Sequence, residues 1–331
     1  MLDYYRNEWG KAARRALHNG LSTLFPPGYS SVEEIVVCGM GGSGVVGEYL
    51  KSMASLYGGP RVEVVRSFTP PVGLSYRSLV LAVSFSGTTL ETIRCARKAY
   101  QAGAKLAVVT SGGELLSMAK FMGVPALVIE KAPAARAAWP QLFFTTAGAL
   151  HANGILTVAR GDLEAATSLL EEVSESDRVS EELAEIVSRE SPGKILAFVA
   201  PEHYYPLAVR ARNEFAENSK IPSISAQYPE LGHNDIEALS NTEALVVAFD
   251  PGDGDFLLVL KELLPRGSYF AVSLRGRSLV EKLAWGTWIA GLASVKAGMI
   301  RGIDPLATPS IKKFRSALKE KLAGQAAEAK D

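Results

Sequence analysis

Two glycine- and hydroxyl-rich stretches carry the strongest chemical signal in the sequence. Gly39-Met40-Gly41-Gly42-Ser43-Gly44 follows an apolar run at residues 35–38 and leads into a helix-like stretch at 45–57. Glycines at such a junction let the backbone approach a ligand, and the free N–H groups of a helix start attract an anion. A tight turn without a ligand would explain the glycines alone. A dinucleotide fingerprint fits poorly, because the next strand carries Glu63 early and Arg66 late instead of closing on an acidic residue. The second stretch is Ser84-Phe85-Ser86-Gly87-Thr88-Thr89-Leu90-Glu91-Thr92, with five hydroxyl residues in nine positions. A helix cap with Glu91 in its first turn needs one hydroxyl. The surplus predicts a cradle for a phosphate monoester, made by Ser84, Ser86, Thr89 and backbone N–H groups.

The elements that must position these loops follow from the apolar pattern. Strand-like runs at 35–38, 62–66, 79–84, 105–109 and 126–129 alternate with helical stretches at 45–57, 90–102 and 113–121, after a helix at 3–18. Strands apolar on both faces predict a parallel sheet covered by helices, with both loops at its carboxyl edge, where ligands bind. Residues 133–140 interrupt the pattern, and an apolar helix follows at 141–156. An acidic stretch at 163–190 reads as solvated helices joining two halves. A second alternation then runs through strands at 194–199, 244–250 and 269–274 and helices at 204–218, 256–264 and 278–298, before a charged helix at 312–331. The apolar segment 283–295, which carries two tryptophans, could be core or interface. The expected fold is α/β, with two doubly wound domains at residues 1–160 and 161–331.

Composition narrows the partners. The chain has 331 residues, with 35 Lys+Arg against 35 Asp+Glu and 47% hydrophobic residues. A formal charge of zero gives no reason to expect nucleic acid or an anionic membrane, although a local anion site is compatible with it. Two cysteines, Cys38 and Cys95, are too few for a disulfide framework, and with four histidines they show no structural zinc spacing. No uncharged run reaches a membrane-spanning length, so a soluble cytoplasmic protein in a reducing setting is expected.

At this point the motifs carry a resemblance. The hydroxyl loop is similar to the phosphosugar-binding loop of sugar isomerase (SIS) domains, and the glycine loop to the opening loop of their phosphoglucose isomerase branch. Arg136, the segment Asn213-Glu214-Phe215-Ala216-Glu217-Asn218-Ser219-Lys220, and Glu230-Leu231-Gly232-His233-Asn234 extend the match. Together these motifs resemble the archaeal bifunctional phosphoglucose/phosphomannose isomerases, which implies that both halves are SIS-like.

The resemblance implies an aldose–ketose isomerisation of hexose 6-phosphates through a cis-enediolate, needing neither metal nor cofactor. The phosphate would lie on Ser84, Ser86 and Thr89, with Gly41, Gly42 and Ser43 beside it. Glu217 would be the base that moves the proton between C2 and C1. Spacing alone does not separate it from Glu214, three positions earlier. His233 would assist ring opening and reach the site from the other subunit of a homodimer, whereas His151 and His203 read as structural. Arg136 would stabilise the enediolate oxygens. Thr308, in Asp304-Pro305-Leu306-Ala307-Thr308-Pro309, stands where conventional phosphoglucose isomerases carry a bulkier amide, which implies room for the mannose epimer. The chain departs from the family just beyond. Arg315 aligns with the family's ring-opening lysine, and Lys312 and Lys313 are near it; an arginine holds its proton too tightly for that role. The competing reading is a non-catalytic SIS module that senses a phosphosugar. An amidotransferase-type synthase is disfavoured, because Met1-Leu2-Asp3 offers no N-terminal nucleophile.

Overall fold

Among the described residues, nine strands form two wholly parallel sheets. The computed structural model describes residues 1–328 other than Asp253 and Arg266, so the last three positions of the expected 312–331 helix lie outside the described residues. The first sheet contains β1 (Glu34–Gly39), β2 (Arg61–Val65), β3 (Ser78–Val83), β4 (Lys105–Thr110) and β5 (Ala126–Val128), in the order β2-β1-β3-β4-β5. The second contains β6 (Ile195–Pro201), β7 (Ser223–Tyr228), β8 (Ala244–Asp250) and β9 (Tyr269–Ser273), in the order β7-β6-β8-β9. Both sheets therefore reverse direction beside their first strand, and the α/β expectation of two doubly wound sheets flanked by helices holds.

Strand β7 is absent from the sequence reading. Its residues are Ser, Ile, Ser, Ala, Gln and Tyr, only two of them fully buried, and it pairs along one edge with β6. An edge strand with a solvated face does not show the continuous apolar run of β1 or β3, which are buried along nearly their whole length. The expected first helix is two, Leu2–Asn7 and Trp9–Leu21, with Glu8 between them at φ −115°.

Two helices apolar on all sides form the centre of the molecule: Trp139–Ala152 from the first half and Leu279–Ile300 from the second. Segment 283–295 is thus core, with Trp285 and Trp288 fully buried. Its helix starts at a capping box in which Ser278 Oγ accepts from the Glu281 N–H and the Glu281 carboxylate accepts from the Ser278 N–H. The N-terminal helices bridge the halves. Trp9 Nε1 donates to the Ala137 carbonyl at 2.9 Å, and Trp288 Nε1 donates to the Tyr5 carbonyl at 2.7 Å. One hydrophobic core therefore runs through both halves.

Cys38 on β1 and Cys95 on the helix Leu90–Gln101 are joined as a disulfide, with Cα atoms 6.5 Å apart. One bridge is not a framework, and nothing in the spacing of Cys38 and Cys95 signals the pairing. The cause lies in the tertiary structure: that helix packs on the sheet face that carries Cys38. Among the described residues, no helix is long and apolar enough to cross a membrane.

Candidate active site

The glycine loop and the hydroxyl loop lie side by side because β1 and β3 are neighbours in parallel register, with Gly39 opposite Val83. The helix Gly41–Tyr57 begins immediately after β1. Its start presses so closely on the strand end that a Cβ on Gly44 would come within 2.4 Å of the Gly39 carbonyl oxygen. Ser43 and Gly44 return their N–H groups to the Met40 carbonyl, so Gly41 and Gly42 present the helix's unpartnered donors. Ser43 Oγ accepts from the Phe85 N–H at 3.2 Å and ties the two loops together.

Inside the hydroxyl loop the residues divide by task. Ser84 is buried behind the loop, where it donates to Thr89 Oγ1 at 3.0 Å and accepts from the Gly87 N–H at 3.2 Å. It shapes the cradle and does not line it. Ser86 and Thr89 do line the cavity. Thr89 occupies the N-cap position of Leu90–Gln101, yet its side chain makes no capping bond. The capping explanation for this hydroxyl therefore fails. Gly87 has φ +65°, and a Cβ there would stand 1.8 Å from the Gly112 carbonyl oxygen, so only glycine fits.

These loops form one wall of a cavity of about 380 Å³. The other walls are Pro133–Arg136, Glu217, and the segment from Leu306 through Thr308 and Lys312 to Arg315. The sequence-derived candidates Gly41, Gly42, Ser43, Ser86, Thr89, Arg136, Glu217, Thr308 and Arg315 are thus brought together. Of the three basic residues left open, Lys312 and Arg315 line the cavity and Lys313 does not. His233 also stands outside it. It is exposed on the short turn Glu230–His233 after β7, a turn followed by the Asn234-capped helix Asp235–Asn241.

Glu214 and Glu217 are separated by a change of helix type. The helix Tyr205–Glu214 widens into a π-turn at Phe215–Ser219, a device common at functional sites. The wider turn rotates Glu217 away from the inward direction of Glu214. Glu214 is fully buried, ion-paired with buried Arg210, and accepts from Tyr5 Oη at 3.1 Å. Burial pushes its carboxyl upward, against the Arg210 charge. Glu217 keeps a partly exposed carboxylate in the cavity and accepts from Arg136 Nη1 at 3.0 Å.

Arg136 is buried and is therefore not a solvated surface arginine. Its Nε donates to Asn218 Oδ1 at 2.5 Å, and its Nη2 donates to the Pro305 carbonyl. Lys220 ends the π-turn in the left-handed region at φ +56°. Its ammonium donates to the carbonyls of Glu217 and Ala307, the latter at 2.7 Å, and burial followed by the nearby Arg136 charge lowers its pKa. Lys220 and Asn218 carry no signal in the sequence beyond their place in the segment 213–220, because no pattern marks a residue that works by holding another segment in place. The arrangement sets two loops of hydroxyls and helix-start N–H groups, suited to an anion, on one wall, with a carboxylate and a fixed cation facing them. Among the described residues, no cluster of three or more potential ligands could hold a metal ion.

Residues 179–318 match the family model for the bacterial phosphoglucose isomerase C-terminal SIS domain. The chain is 36% identical over 315 residues to the bifunctional phosphoglucose/phosphomannose isomerase of Aeropyrum pernix, covering 89% of this chain and 92% of that protein. It is 29% identical to the D-glucosamine-6-phosphate 4-epimerase of Sulfolobus acidocaldarius, over 82% of this chain and 84% of the relative. Its fold is also similar to the C-terminal domain of glucosamine-fructose-6-phosphate aminotransferase from Francisella tularensis. That comparison has a TM-score of 0.72 at 16% identity and covers 92% of this chain and 96% of the other.

Proposed function

Because the chain belongs to the bifunctional phosphoglucose/phosphomannose isomerase family, we propose that it converts glucose 6-phosphate and mannose 6-phosphate to fructose 6-phosphate and back. The observation that carries the reading is the Arg136–Glu217 pair facing the hydroxyl cradle across one cavity. A module that only senses a phosphosugar needs the cradle and has no use for the pair.

In this reading the phosphate rests on Ser43, Ser86, Thr89 and the opening N–H groups of two helices, each worth roughly 0.3–1 kcal/mol toward an anion. The sugar then extends toward Glu217, which removes the C2 proton of the aldose and returns it to C1 of the ketose. The enediolate that forms carries its negative charge on the C1 and C2 oxygens, where the Arg136 guanidinium stabilises it while the remaining hydroxyl proton passes from the C2 oxygen to the C1 oxygen. Glucose and mannose 6-phosphates share this intermediate, so one base serves both epimers after rotation about C2–C3. Thr308, on the opposite wall, leaves space for that rotation.

Ring opening needs a proton donor at the ring oxygen, and an imidazole suits that work near neutrality. His233, exposed and outside its own chain's cavity, is assigned to the site of the neighbouring subunit in a homodimer. Lys312 is its partner within the chain, since Arg315 holds its proton too firmly. The division near residue 160 then separates a phosphate-binding half from a half supplying base and histidine, in a cytoplasmic enzyme.

A coupled assay of the purified protein on fructose 6-phosphate tests the proposal. The expected products are glucose 6-phosphate and mannose 6-phosphate. A protein that binds fructose 6-phosphate without turnover, or inverts C4 of glucosamine 6-phosphate instead, overturns it.

A further inference from the structure

We propose that Asn218 is a positioning residue for the isomerisation: fixed by Glu214 and Ser294, its amide oxygen aims the Arg136 guanidinium at Glu217. The inference rests on the reading of Glu217 and Arg136 given above. Asn218 is fully buried next to Glu217 in the π-turn. Its Nδ2 donates to Glu214 Oε2 at 2.7 Å and to Ser294 Oγ at 2.8 Å. Ser294 already donates its own proton to the Gly291 carbonyl at 2.8 Å, so it faces Asn218 as an acceptor. On the other side Oδ1 accepts from Arg136 Nε at 2.5 Å.

The amide has one allowed orientation. Turned over, it would set its oxygen against the Glu214 carboxylate and its NH2 against a guanidinium that has nothing to accept with. Buried donors and acceptors left opposed in this way are costly, so the neighbours lock the amide. Glu214 is itself held by Arg210 and by the Tyr5 hydroxyl, and Arg210 also donates to the Arg136 carbonyl. Fixed points thus surround Asn218, and Arg136 inherits its orientation.

Charge explains why the residue is an amide. Arg136 and Arg210 balance Glu214 and Glu217, so a neutral group completes the cluster. Aspartate at 218 would add a third negative charge and place a carboxylate against Glu214. The helix Leu279–Ile300 presses on this turn closely: a Cβ on Gly298 would come 2.5 Å from the Asn218 backbone carbonyl oxygen.

The test compares kcat and KM for fructose 6-phosphate in the wild type, Asn218→Ala, Asn218→Asp and the double variant Asn218→Asp/Glu214→Gln. Both single variants should lose about a hundredfold in kcat, the scale of a misaimed catalytic group. KM should stay within about twofold, because the phosphate cradle is untouched. The double variant exchanges donor and acceptor at constant charge and should recover at least about tenfold over Asn218→Asp. If Asn218→Ala does not fold, Ser294→Ala, which withdraws one acceptor, should still lower kcat about two- to tenfold with KM unchanged. Unaltered kcat in folded variants, or loss without recovery in the double variant, overturns the inference while an active wild type leaves the isomerase reading standing. An inactive wild type overturns both.

Discussion

Arg136 and Glu217, 81 positions apart in the chain, meet with Nη1 3.0 Å from Oε2; the Arg136 side chain is 7% exposed and that of Glu217 27%. The cation is held away from water while the carboxylate can reach a ligand. Substrate does not have to assemble this electrostatic environment on arrival, which is what lets a fixed charge lower the energy of an enediolate.

Glu214, three residues from Glu217, should behave as a structural carboxylate first. Replacing it with alanine leaves buried Arg210 without its counter-charge, a change that costs about 3–5 kcal/mol. Denaturant unfolding of Glu214→Ala should show a loss of that size, while an equivalent truncation at partly exposed Glu217 costs far less. Equal stability losses at the two sites would mean that their environments are not as different as described.

The hydroxyl loop depends on Gly87. Alanine there must hold φ near +65°, which costs about 1–2 kcal/mol, and its Cβ collides with the Gly112 carbonyl. Gly87→Ala should therefore raise KM for fructose 6-phosphate and weaken competition by inorganic phosphate, with a smaller effect on kcat. Unchanged phosphate competition in a folded variant would remove the loop from the phosphate site.

Much of this site was readable beforehand because its chemistry is concentrated in short runs. The glycine loop, the hydroxyl loop and Glu217 with its neighbours each occupy fewer than ten consecutive positions. What the sequence hid was anything that depends on tertiary direction. Ser84 and Ser86 look alike in a string, but the loop folds back over Ser84, which bonds to Thr89 and Gly87 and is buried. Glu214 and Glu217 are equivalent on a helix and differ only because the helix changes pitch between them. The Cys38–Cys95 pairing and the edge strand β7 were missed for the same reason, since each is defined by what packs beside it.

The proposed sharing of sites between two subunits has a direct consequence. Glu217→Gln and His233→Ala chains should each be inactive alone, and mixing them under conditions of subunit exchange should restore activity through hybrid dimers with one intact site. Exchange demonstrated by differently tagged chains without any recovery would place His233 outside the chemistry.

Alkaline stability follows from the buried phenols. Burial holds Tyr5 and Tyr49 well above the ordinary value of 10.0, and Tyr269, pushed up to about 12 by burial and then by Asp250, follows them. Above about pH 10 the unfolded chain releases phenolic protons that the folded chain keeps, so stability is full below that pH and declines as pH rises. Phenolate absorbance of Tyr5 and Tyr49, isolated by comparison with Phe variants, should appear together with loss of near-ultraviolet circular dichroism. Ionisation of either in a still-folded protein would contradict their burial.

The central claim is that Glu217 is the base of a hexose 6-phosphate isomerase, and Glu217→Gln tests it most directly. The amide keeps the shape and a contact to Arg136 but cannot take a proton at C2. Turnover of fructose 6-phosphate should fall at least about a hundredfold, the lower range of general-base contributions, while its dissociation constant, measured calorimetrically on the same variant, stays near that of the wild type. A variant that retains most of its turnover would contradict the account.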